Sequence, residues 1–72
     1  MLRYLPIEKE SAAAAGSTFG LRVLETQDGQ DREVMVLPEI SSDFHFVLRL
    51  AHVLTMKQFR PQDLLHLLAR LP

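Results

Sequence analysis

The chain has no cysteine, so no disulfide supports its fold, and a reducing cytosol is the expected setting. Glycine is scarce at three residues, and Gly16, Gly20 and Gly29 fall in a linker, a strand and a turn. None of them builds a phosphate-cradling loop. Charge of one sign is also missing: the formal net charge is −1, so the overall balance recruits neither nucleic acid nor an anionic membrane. No apolar run is long enough for a signal peptide at Met1–Glu10, and Arg49 and His52 interrupt the one candidate membrane span. These absences point to a soluble cytoplasmic protein without a membrane partner.

What is present is 72 residues with 47% hydrophobic content, too apolar for disorder and enough for one small domain. The dominant stretch is Ile40–Leu54. Phe44, Val47, Leu48, Ala51 and Leu54 make one stripe at helical spacing, and Phe46, Leu50 and Val53 make a second beside it. A polar seam of His45, Arg49, His52 and Thr55 separates them. The pattern predicts a helix over 42–57, capped by Ser41 or Ser42 with Asp43 in its first turn.

Around this helix, residues 2–8 alternate as a strand, and Pro6, which lacks an N–H, places that strand at a sheet edge. Residues 9–17 read as a flexible loop. Residues 18–38 read as a hairpin turning at Asp28-Gly29 with type I′ geometry. That turn predicts Glu25 opposite Arg32, Val23 opposite Val34, Leu21 opposite Val36 and Phe19 opposite Pro38. Gly20 then marks a bulge or a close approach of backbone. After Arg60, Pro61 opens a second helix over 61–71 with a leucine-rich face. The expected architecture is α+β: a small antiparallel sheet of about three strands followed by two helices packed on one face.

The segments Leu2-Arg3-Tyr4, Thr18-Phe19-Gly20-Leu21, Pro38-Glu39-Ile40-Ser41-Ser42-Asp43 and Arg60-Pro61-Gln62-Asp63 together resemble a family of short, uncharacterised bacterial proteins of Firmicutes type. That family pairs an aromatic-Gly-aliphatic strand with an Ile-Ser-x-Asp helix start. The chain departs from the pattern at Asp63-Leu64, where the family carries a histidine. The resemblance implies the α+β fold and assigns no activity.

The inventory for chemistry is poor. Serines lie only in the 11–17 loop and at the helix cap, and the carboxylates pair nowhere as acid and base. His45 and His52 stand roughly 10 Å apart along a helix, too far to share a metal. His52 with Met56, or Asp63 with His66, offers two ligands at most. No catalytic residue, cofactor, metal or small-molecule ligand is expected, although the three histidines could make an apolar contact pH-sensitive. The residues favour a protein-contact module that meets a protein partner or itself as a homodimer. Its expected interaction surface is Phe46, Leu50, Val53, Leu64, Leu67, Leu68 and Leu71. The other weighed reading is that Phe46, Leu50 and Val53 simply pack under the second helix. The rival from another class is a nucleic-acid-associated regulator using Arg49, Lys57 and Arg60.

Overall fold

A computed structural model of the chain describes residues 1–10 and 16–70. Three strands, β1 (Leu2–Glu10), β2 (Ser17–Gln27) and β3 (Gln30–Ser41), form an antiparallel sheet in the order β1-β2-β3. Helix α1 (Phe44–Met56), a 3-10 turn (Pro61–Asp63) and the short helix α2 (Leu64–Leu68) follow. The expected α+β order therefore stands, with β1 at an edge.

The sequence explains each punctuation point. Asp28 and Gly29 both adopt positive φ, at 55° and 78°, which is what a two-residue type I′ turn demands. Gln27 thereby pairs with Gln30 and Glu25 with Arg32. Beyond that point the expected register changes. Leu24 pairs with Glu33 but Val23 pairs with Met35, so Val34 is an extra residue that turns the rest of β3 over. Leu21 consequently meets Leu37 instead of Val36, and Phe19 meets Ser41 instead of Pro38. Met35 and Leu37 face the core, while Val34 and Val36 face away from it.

A second irregularity sits at Gly20, between the Leu21 and Phe19 pairings, where Pro38, Glu39 and Ile40 stand against one residue of β2. A side chain is impossible there. A Cβ on Gly20 would overlap the Leu37 carbonyl oxygen and lie 2.6 Å from the Pro38 carbonyl carbon. The irregularity also explains why β3 runs on to Ser41 instead of stopping at Pro38, since a proline is tolerated at a bulge on an edge strand. Similarly, β1 ends later and β2 starts earlier than the 9–17 loop allows, with Lys9 opposite Thr18 and Glu10 opposite Ser17. The remainder of that loop, 11–15, lies outside the described residues.

The N-cap of α1 is Asp43, not Ser41 or Ser42. Its carboxylate accepts from the Phe46 N–H at 3.2 Å, and Ser41 Oγ accepts from the Asp43 N–H at 3.0 Å. Both serine and aspartate thus satisfy donors that the first helical turn leaves open. At the other end Gln58 takes a left-handed conformation with φ 50°. Its N–H donates to Thr55 O, and the Phe59 N–H reaches back to Leu54 O, the paired bonds of a Schellman ending.

The core lies between α1 and one sheet face. Val47, Ala51 and Leu54 of α1 meet Tyr4, Leu21 and Val23, and Leu64 closes the end. Only part of the expected first stripe is buried, because Phe44 and Leu48 roll to the flank of the helix and stay exposed. Phe44 instead lies against Phe19 with ring centroids 5.2 Å apart.

Candidate functional site

The interaction surface expected from the leucine pattern does not form as one patch. Leu64 has no exposed surface at all and belongs to the core, because the 3-10 turn at Pro61 swings it beneath α1. Phe46, Leu50, Leu67 and Leu68 are half-buried and packed against the same core. Among the described members of the set Val53 alone is well exposed, and Leu71 lies outside the described residues. Helix 61–71 is reduced to the turn Pro61–Asp63 and Leu64–Leu68.

The basic trio is also dispersed. Arg60 pairs with Asp63 at 2.9 Å, while Arg49 and Lys57 take no ion pair among the described residues. Arg49 and Lys57 stand about 12 Å apart along the helix at 1.5 Å per residue. Arg49 borders an open cleft of about 530 Å³ with Ile40, Phe46 and Leu68. His45, His52 and His66 are all exposed. Among the described residues no group of three or more His, Cys, Asp or Glu side chains could hold a metal, and no helix is long and apolar enough to cross a membrane.

The feature that the fold does assemble lies in the sheet edges. On the outer side of β1, the Leu2 N–H donates to Gln58 Oε1 at 2.8 Å, and Gln58 Nε2 donates to Leu2 O at 2.9 Å. The Tyr4 N–H donates to Thr55 Oγ1 at 2.9 Å, and the Thr55 hydroxyl also lies 3.4 Å from Tyr4 O. Alternation along the strand makes residue 6 the next position with outward backbone groups, and Pro6 has no N–H to offer. The C-terminal end of α1 and one proline thus block β1 from Leu2 to Pro6, while Glu8 and Glu10 farther along also turn their backbone groups outward.

Tyr4 ties this corner together. Its phenol donates to the Phe59 carbonyl oxygen, and burial pushes its pKa above the ordinary value of 10.0.

The β3 edge is different. The Thr26 N–H donates to Met1 O, which points the backbone groups of even-numbered β2 residues toward β1. Their β3 partners Asp31, Glu33 and Val36 consequently turn their own N–H and C=O groups to the free side. Among the described residues nothing bonds those groups.

Every charged side chain of β3 is drawn back over the sheet instead of guarding this edge. Asp31 pairs with Arg3 at 3.1 Å, Glu33 with Arg22 at 2.7 Å, Arg32 with Glu25 at 3.8 Å and Glu39 with Lys9 at 3.1 Å. Beneath them Leu24, flanked in register by Arg3 and Glu33, is only 8% exposed on the face away from the helix. Val34 at 37% and Val36 at 41% exposure are the apolar side chains left standing beside the open backbone.

Sequence reasoning missed Thr55 and Gln58 as edge caps, and Val34 and Val36 as surface residues. The Pro6 edge was a usable signal, since an edge strand beside a helix invites polar caps from that helix. The chain matches no protein-family model, no curated protein and no solved structure.

Proposed function

We propose that this chain is a non-catalytic protein-contact module that works by accepting a strand along the open edge of β3. The observation that carries the reading is the asymmetry between the two edges: β1 is blocked from Leu2 to Pro6 by Thr55, Gln58 and the proline, leaving outward groups only at Glu8 and Glu10, whereas Asp31, Glu33 and Val36 leave donors and acceptors unmet along most of β3. Edges without such closure pair with other chains, and main-chain hydrogen bonds then supply the affinity. The exposed Val34 and Val36 supply apolar area beside that ladder.

The test is capture from the native cell with two variants. Val36→Pro removes an edge donor, and Met56→Lys alters a residue 72% exposed on α1. Edge-dependent contacts disappear with Val36→Pro and survive Met56→Lys; the reverse pattern overturns the reading.

A further inference from the structure

We infer that the strand accepted by β3 is β3 of a second copy, paired antiparallel about a twofold axis normal to the sheet, giving a six-stranded sheet that ends at two copies. This inference rests on the strand-addition reading above and names its partner. Three observations lead to it, the first of them electrostatic. Asp31, Arg32, Glu33 and Glu39 are each already paired with a charge of their own chain. An acidic or basic peptide gains no new ion pair along this edge, so a charged partner is not selected. A strand whose charges are neutralised in the same way meets no repulsion, and β3 itself is such a strand.

The second observation is chemical identity at the contact. A twofold interface puts the same patch on both sides, so its residues must be complementary to themselves. Unsubstituted backbone and the exposed valines Val34 and Val36 meet that condition. The usable ladder offers the outward groups of Asp31, Glu33 and Val36, with Val34 as an extra residue inside it, and it stops at Pro38, which lacks a donor and begins the close approach over Gly20.

The third observation is closure. Head-to-tail pairing of β3 with β1 would build an open fibre, but the outward groups of Leu2 and Tyr4 are occupied by Gln58 and Thr55. That leaves β1 only the outward groups of Glu8 and Glu10 beyond Pro6, so β3-to-β3 pairing offers the longer ladder and leaves a partly capped β1 at each end of the enlarged sheet. Both copies of α1 then lie on the same face, since an axis normal to the sheet preserves faces.

The experiment is sedimentation equilibrium of the purified full chain across a dilution series, with circular dichroism recorded on every variant. The expected mass rises from one chain to two and goes no higher. Val36→Pro weakens the association at least about tenfold, and Val34→Lys, on an exposed position, does the same and decides the matter if Val36→Pro fails to fold. Met56→Lys leaves the association unchanged. In the dimer, the amides of Asp31, Glu33 and Val36 exchange more slowly with solvent than in the monomer. A mass of one chain at every concentration overturns the second-copy inference, while edge-dependent capture from cells would leave the strand-addition reading standing. A dimer indifferent to Val36→Pro and Val34→Lys but broken by Met56→Lys overturns both.

Discussion

Tyr4 and Gln58 do the work of several residues each. The Tyr4 phenol is buried and donates to the Phe59 carbonyl, so ionising it would lose that bond and place charge in a poorly solvated corner. Its pKa is raised on folding, meaning that the folded chain holds the proton more tightly than the unfolded one. The corresponding stability is present at neutral pH and is lost as pH climbs past 10.0, the ordinary value, toward the higher folded value. Denaturant titrations of the parent and of Tyr4→Phe should therefore differ by about 1–2 kcal/mol at pH 7. The gap should shrink above pH 10, and a gap that widens with alkalinity would contradict this account. Gln58 sits in left-handed backbone that usually favours glycine, yet its amide bonds both groups of Leu2 and the Thr55 carbonyl. A glycine there would relax the backbone and leave β1 uncapped.

At the level of elements, the bulges decide which residues the sheet presents. Gly20 lets β3 swing inward over β2, and that swing lets Ser41 reach the Asp43 cap of α1. Gly20→Ala forces its methyl into the Leu37 carbonyl and should cost about 3 kcal/mol, the upper end for overpacking because the obstacle is backbone, read as a fall in the urea midpoint. A change below 1 kcal/mol would refute the close packing assigned to that site.

The same bulges mark where sequence reasoning reached its limit. The α+β order was legible because Asp28-Gly29 specifies a tight turn, Pro6 an edge and Pro61 a fresh start. The Gly20 close approach was legible too, because a missing side chain is itself a signal. The register past Leu24 was not: Val34, Met35, Val36 and Leu37 are all apolar, so either parity buries a plausible set. The caps were illegible for another reason, since Thr55 meets Tyr4 across 51 positions and Gln58 meets Leu2 across 56. No local pattern encodes such partners. An open backbone edge leaves no side-chain signature, so the leucine stripe was the apolar surface that a pattern of side chains could show.

For the molecule as a whole, the balance between one partly capped and one open edge sets the size of any assembly. Gln58→Gly, together with Thr55→Val, removes the caps on β1 while leaving β3 as it was. Relief of the left-handed strain offsets part of the lost hydrogen bonding for Gln58→Gly, so stability should fall by no more than about 1–3 kcal/mol for the pair. Light scattering should then detect species larger than two chains, because the first half of β1 is freed and the strand can pair on both sides of Pro6. A double variant that stays no larger than the parent assembly would show that Thr55 and Gln58 do not control association.

The corner where the Tyr4 phenol meets the Phe59 carbonyl joins positions 55 apart. Closing so long a loop is entropically slow, and the Asp28-Gly29 hairpin can zip up far sooner. The first strand can join β2 early, since Glu10 lies opposite Ser17 only seven positions on, so it is the Thr55, Gln58 and Phe59 contacts that come last. Until they arrive, the flank at Leu2 and Tyr4 is bare, and the half-folded chain runs its greatest risk of capturing a neighbour in the wrong place.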